Sequence, residues 1–220
     1  NTYILWDETL ECVIIDPGCH VYEERKALTD FISEKKLKPV KLLNTHAHID
    51  HILGNAFIKR NYNISYFLHE KDIPVLNSAP DRAAFWGFPA YEHASVDEYL
   101  EEGKDISFGN STLQVFFTPG HAPGHVVFYA QKQNFVIGGD VLFYRSIGRT
   151  DLPGGNHQQL IDSIKNAIAS GTSFDEMVQK YSDDAGSKAN GGKYEMFPQA
   201  QMVGPFNDFS FDNSVGSKGV

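Results

Sequence analysis

From the start of the chain to about residue 168, short apolar runs alternate with stretches in which apolar residues recur every three or four positions. Strands interleaved with amphipathic helices produce that pattern, so the fold class is α/β. Strands are predicted over 2–6, 11–16, 40–44, 64–68, 112–118, 125–130 and 134–138. The stretch 21–36 sets Leu28, Phe31 and Ile32 on one helical face and leaves Glu23, Glu24, Lys35 and Lys36 to water, with Asp16-Pro17-Gly18 turning the chain ahead of it. A second helix is predicted over 157–169, where Leu160, Ile161, Ile164 and Ile168 share a face after the turn Gly154-Gly155-Asn156. Beyond residue 170 the pattern changes. A short helix with Phe174, Met177, Val178 and Tyr181 gives way to Gly, Ser, Asn and Lys over 182–193, and the apolar residues from 194 on fit no single period. A boundary therefore falls near 168–172, separating a domain over 1–168 from a segment over 169–220, much of which is expected to be mobile.

With 220 residues the chain can bury a full core without disulfides. The net charge of −9 and the scatter of the 19 basic residues argue against a nucleic-acid partner. Cys12 and Cys19 are too few and too close for a secreted disulfide framework, which favours a reducing, cytoplasmic setting. No apolar run approaches the roughly 20 residues of a membrane span, so no membrane association is expected. The first residue is Asn, not Met, and Asn1–Trp6 already reads as a strand, so sequence is expected upstream.

The chemistry concentrates at strand ends. Asn44-Thr45-His46-Ala47-His48-Ile49-Asp50-His51 follows the apolar run Val40–Leu43 and precedes a helical pattern from Ile52. Three imidazoles and a carboxylate so close together incur desolvation and mutual repulsion unless they share a cation, and both group types are suitable zinc ligands. His121, in Thr118-Pro119-Gly120-His121-Ala122-Pro123-Gly124-His125, and Asp140, closing Phe135-Val136-Ile137-Gly138-Gly139-Asp140, likewise follow β-rich runs. The paired glycines before Asp140 let backbone approach a site closely. His20, His69 and His93 read as surface or locally bonded, His125 as structural before metal-binding, and Cys19 as a small buried thiol. The aromatic stretch Phe85-Trp86-Gly87-Phe88-Pro89, with Tyr91, is expected to pack over the core more than to wall a groove.

His-x-His-x-Asp-His, Thr-Pro-Gly-His and Gly-Asp, in this order and with these gaps, resemble the metallo-β-lactamase superfamily over about residues 1–168. Gly139–Phe143 followed by Gly148-Arg149-Thr150-Asp151-Leu152-Pro153-Gly154-Gly155 is similar to its glyoxalase II-like branch, the hydroxyacylglutathione hydrolases. The resemblance implies an αββα sandwich with two zinc ions at one edge of the sheets. His46, His48 and His121 would hold one; Asp50 and His51 the second; Asp140 would bridge. It further implies hydrolysis of a small-molecule thioester or related acyl ester by a metal-bound hydroxide, with Asp50 and Asp140 in the catalytic set and Tyr144, Arg149 and Asp151 as candidate substrate contacts.

The chain departs from that branch in one respect. No His follows His157, so the final histidine that completes the second zinc site has no counterpart, and that site is expected to be weaker. In its place, Ser170–Phe174, Tyr181–Lys188, Asn190-Gly191-Gly192, Gln201-Met202 and Pro205-Phe206 resemble the middle of a parvulin-type peptidyl-prolyl isomerase. Asp184 matches that family's Cys-or-Asp position, and Met202 and Phe206 match the apolar wall of its proline pocket. The parvulin opening and closing strands are missing. The reading is thus a sandwich truncated at both ends, followed by a partial parvulin-like α+β segment joined near Asp162–Asn166, and an artificial join is favoured because both partners are cut at the seam. The alternatives to a hydrolase are a prolyl isomerase or peptide-binding fragment, and an inactive chimera.

Overall fold

The structure is a computed structural model that describes residues 1–143 and 146–169. The chain divides into two compact units, 1–160 and 161–220, and the described part of the second is the end of one helix.

The first unit is built on two sheets. The first contains β1 (Tyr3–Trp6), β2 (Glu11–Ile15), β3 (Lys38–Leu43), β4 (Ser65–His69) and β5 (Glu98–Leu100), in that spatial order. β1 runs antiparallel to β2, and every later pair is parallel. The second sheet is an antiparallel meander of β6 (Ile106–Phe108), β7 (Ser111–Phe117), β8 (Val126–Ala130) and β9 (Phe135–Ile137). A hairpin of β10 (Leu142–Phe143) and β11 (Ser146–Ile147) follows.

Five helices connect the first sheet: α1 (Tyr22–Glu34), α2 (Ile49–Ile52), α3 (Asn55–Tyr62), α4 (Ile73–Asn77) and α5 (Ala79–Phe85). A last helix, α6, spans His157–Ala169. α1 begins where Glu24 accepts hydrogen bonds from the backbone N–H groups of His20 and Val21, at 2.7 and 3.2 Å, and its Leu28 and Ile32 are buried. Asn156 caps α6 by accepting from Gln159 N at 3.0 Å.

The strand β2 explains the layering. Cys12 and Ile14 face one core, shared with Leu28 and Ile32 of α1 and with Ile52 and Ile58. Val13 and Ile15, one residue out of phase, face another core shared with Leu113, Val115, Val126 and Phe128 of the second sheet. A strand covered on both faces must be apolar where it is covered, which is why Cys12–Ile15 is a continuous apolar run and not an alternation.

All seven predicted strands are present to within two residues of their expected ends, as are both long helices. The short strands β5, β6, β10 and β11, of two or three residues, lie below the length at which periodicity speaks. α4 and α5 were not among the expected elements; Pro74 and Pro80 each occupy the first turn of their helix, where a missing N–H costs nothing. The aromatic stretch corrects one expectation. Tyr91 packs against the core, but Phe85 and Trp86 are 84% and 54% exposed. The helix predicted around Phe174–Tyr181 lies outside the described residues. No described helix is long and apolar enough to cross a membrane.

Candidate metal centre

Parallel register brings strand ends level. Ile15 pairs with Leu43 and Leu43 with Phe67, so Asp16 and Asn44 emerge side by side at the carboxyl edge of the first sheet, where open α/β sheets place their ligands. Asp16 holds φ +50°, uncommon for a residue other than glycine, and its buried carboxylate organises the next loop. Oδ1 accepts from Thr45 N at 2.8 Å and from Asn44 Nδ2 at 3.0 Å, and Oδ2 accepts from Thr45 Oγ1 at 2.6 Å. Asn44 also donates to the His51 carbonyl at 2.8 Å and accepts from Asn55 at 2.7 Å. The loop that carries His46 and His48 is thereby fixed from both sides.

Three of the imidazoles, His46, His121 and His51, are oriented by a partner on the nitrogen away from the centre. Thr45 Oγ1, having donated to Asp16, accepts from His46 Nδ1 at 3.0 Å. His121 Nδ1 donates to the Arg149 carbonyl at 2.8 Å, and His51 Nδ1 stands 3.0 Å from Asp16 Oδ2. The remaining atoms converge: His121 Nε2 lies 2.8 Å from His48 Nδ1 and 3.2 Å from His46 Nε2. Nitrogen lone pairs do not gather for each other's sake, whereas tetrahedral Zn–N bonds of about 2.0–2.1 Å bring ligand atoms to roughly such spacings. Two groups of donors can hold a metal: His46, His48 and His121, and His46, His51 and Asp140. Asp140 reaches toward both, with Oδ1 at 3.4 Å from His51 Nε2 and Oδ2 at 3.6 Å from His121 Nε2.

Protonation fits this donor set. Burial, followed by the charges of neighbouring imidazoles, pushes His46 well below its ordinary value and takes His48 down to about 3. Burial also lowers His121, so these three rings are neutral and free to coordinate. Burial would lower His51 too, but the hydrogen bonds to Asp140 and Asp16 outweigh it and carry it up to about 10. Asp140 is pushed up by burial and pulled further down by His51 and the other imidazoles, ending below its usual value. His51 and Asp140 thus form a charge pair, and a cation can replace the His51 proton between them.

The predicted ligands therefore come together, with one gradation. Asp50 is the outlier: its side chain is 69% exposed, and Oδ2 stands 3.5 Å from His51 Nε2, outside both groups. His157 joins neither group, and among the described residues no further imidazole replaces the missing C-terminal ligand. Arg149 and Asp151 pair with each other through two 2.8 Å contacts on an exposed loop. Tyr144, Asp184, Met202 and Phe206 lie outside the described residues.

Three contributors were not read from the sequence as part of the site. Asp16 looked like a turn residue, yet Glu11–Asp16 has the same form as Phe135–Asp140, an apolar run ending in a carboxylate. His125 is fully buried; its Nε2 accepts from Asp140 N at 3.1 Å, its Nδ1 faces Thr118 Oγ1 at 3.1 Å, and its ring stacks on His46. Asp72, also fully buried, accepts from the backbone of both histidine loops. Cys19 is a buried thiol whose sulfur packs against Gly54. The expected close approach belongs to Gly139, not Gly138: at φ +49°, a Cβ there would lie 2.6 Å from Thr45 Oγ1 and 2.7 Å from His125 Nε2.

Comparison with known proteins agrees. Residues 1–170 match the metallo-beta-lactamase superfamily, and residues 153–220 match the PPIC-type PPIase domain, so a PPIC-like segment follows the hydrolase fold. A probable metallo-hydrolase of Bacillus subtilis is 37% identical over 169 residues, covering 76% of this chain and 78% of that protein. A hydroxyacylglutathione hydrolase of Haemophilus influenzae is 30% identical over 208 residues, covering 94% of this chain and 92% of that one. A protein solved in a di-iron-bound form is 34% identical, with a TM-score of 0.68 over 78% of this chain and 82% of its own. The chain belongs to the metallo-beta-lactamase superfamily.

Proposed function

We propose that this chain is a zinc-dependent hydrolase of small-molecule thioesters or related acyl esters. The observation that carries the reading is the convergence of three neutral imidazoles, His46, His48 and His121, beside the His51–Asp140 pair. In this reading His46, His48 and His121 would hold one ion and His51 and Asp140 a second, with Asp50, 3.5 Å from His51 Nε2, near enough to join it. Bound there, the ions would supply Lewis acidity that makes water nucleophilic at neutral pH and polarises an acyl carbonyl. The protein's own part is positional. Asp16 and the Arg149 carbonyl aim His51 and His121, and Asp140, held ionised beside His51, keeps a negative carboxylate turned to the centre. The similarity to a hydroxyacylglutathione hydrolase supports a thioester as substrate. Arg149 and Asp151, at the loop beside His121, are proposed to contact it.

The test is elemental analysis of the purified chain together with thioester hydrolysis before and after chelation. Zinc in the preparation, activity lost on chelation and activity restored by zinc are expected. Restoration by ferrous iron and not by zinc would move the reading toward an iron enzyme, and a metal-free, folded chain would overturn it.

The match of residues 153–220 to a PPIC-type domain supports a second, smaller proposal, that residues 169–220 form a parvulin-like fragment. It is expected to leave proline-isomer exchange in a model peptide at the uncatalysed rate. Chelator-insensitive acceleration of that exchange would overturn this.

A further inference from the structure

Buried carboxylates normally face a cation or a metal. Asp72, at the end of the single 3₁₀ turn Glu70–Asp72 that follows β4, is fully buried and belongs to neither donor group. Its two oxygens are divided between loops from different sheets. Oδ2 accepts from Ala47 N at 2.6 Å, and Ala47 is the residue between His46 and His48. Oδ1 accepts from Gly124 N at 2.5 Å, in the turn between His121 and His125. Contact with the second loop is close: a Cβ on Gly124 would lie 2.5 Å from Asp72 N and 2.8 Å from Asp72 Cβ, so only glycine fits there. The loops also meet where Val126 N donates to the Thr45 carbonyl at 2.8 Å, so the strand ends are joined without Asp72. A rigid, charged, bidentate acceptor adds a fixed spacing between the backbone beside His48 and the backbone beside His121 and His125.

We propose that Asp72 is a positioning residue for the metal centre, a clamp that sets the distance between its two histidine loops. The inference rests on the metal reading above. Charge-assisted bonds to backbone N–H groups are shorter and stronger than neutral ones, so a carboxylate holds the spacing more firmly than an amide or hydroxyl would. Substitution Asp72→Asn keeps the shape but turns one acceptor into a donor that faces a backbone N–H.

The experiment measures zinc affinity of the full chain, by competition with a chromophoric chelator, and the absorption spectrum of its cobalt(II) form. Asp72→Asn is expected to lose 10- to 100-fold in zinc affinity, about the effect of losing an outer partner, and to alter the cobalt spectrum. Asp72→Glu, which restores the charge, is expected to recover part of both. A residue serving only the fold would lower the melting temperature of the metal-free chain and leave zinc affinity within twofold, and that result overturns the inference. Should Asp72→Asn not fold, amide exchange in the metal-free parent chain decides: Ala47 and Gly124 are expected to be protected, and rapid exchange at either overturns the clamp. A parent chain that binds no zinc takes down the metal reading itself, whereas a parent and an Asp72→Asn variant that bind alike sink the clamp alone.

Discussion

Where β2 and β3 enter the interior they have two regions, an apolar body of Cys12–Ile15 and Leu42–Leu43 and a polar end, and both are buried. Along the body, Val13, Ile15 and Leu43 contact the second sheet through side chains that need no particular partner. One residue further on, Asp16, Asn44, Thr45 and His46 are buried as completely, yet their side-chain polar atoms, apart from the His46 Nε2 turned to the centre, are matched to named neighbours. Burial of the body stabilises by removing apolar surface from water. Burial at the end spends stability on a preformed arrangement of donors, the pattern expected where function sets the sequence.

The difference can be tested by damaging each region in turn. The largest effect should follow His48→Ala combined with Asp140→Ala, which removes a donor from each metal-binding group. Zinc content should fall from roughly one to two ions per chain toward none, and thioester cleavage should fall by more than the about 100-fold expected for loss of an outer partner. Far-UV circular dichroism should not change; a variant that keeps its zinc would show that the polar end is not a metal site. Next come two variants of similar cost and different meaning. Phe128→Ala, in the core that the body faces, should cost about 3–5 kcal/mol in denaturant unfolding, with zinc affinity of the folded chain unchanged. Asp16→Ala should cost a comparable 3–5 kcal/mol or so, because it strands His51 and the Thr45 loop, and zinc affinity should fall with it. If both variants bind zinc equally well, the contrast between the regions fails.

Acidity gives a smaller, graded effect on the metal-free chain. His46, His48, His121 and His125 are depressed in the folded state, so below 6.5 the unfolded chain takes up protons that the folded one refuses, and stability falls as pH drops toward 3. His51 is raised to about 10, so its contribution is complete below 6.5 and is lost as pH rises through 10. Asp72, raised by burial to about 6, opposes the histidines between 3.8 and 6, but it is one group against four. The melting temperature should therefore peak near neutrality and decline on both sides, and a monotonic profile in calorimetry after chelation would contradict these assignments. The smallest effect belongs to the rim. Arg149→Ala should leave the melting temperature unchanged, because the Arg149–Asp151 pair is exposed and screened, and should act only by raising KM for thioester.

How much of this was legible in the chain follows the same division. The body was plain, because apolar runs of four to seven residues report strands whatever surrounds them, and the ligands were plain because imidazoles cluster in sequence over His46–His51. What stayed hidden were partners supplied by distant residues or by backbone. Asp16 meets Thr45 across 29 positions and Asp72 meets Gly124 across 52, and neither separation leaves a local pattern. The Arg149 carbonyl that orients His121 is a main-chain atom, which no choice of side chain announces. α4 and α5, of five and seven residues, are too short for apolar periodicity to mark them as helices.

The division of ring nitrogens at the centre has a spectroscopic counterpart. His46 and His121 turn Nδ1 outward to a protein oxygen and Nε2 inward, whereas His48 turns Nδ1 inward. In a uniformly ¹⁵N-labelled sample, His48 should carry its proton on Nε2 and the other two on Nδ1. Long-range proton–nitrogen correlations would then show His48 with the cross-peak pattern of the opposite tautomer, so the architecture of the centre could be read from three imidazole spin systems.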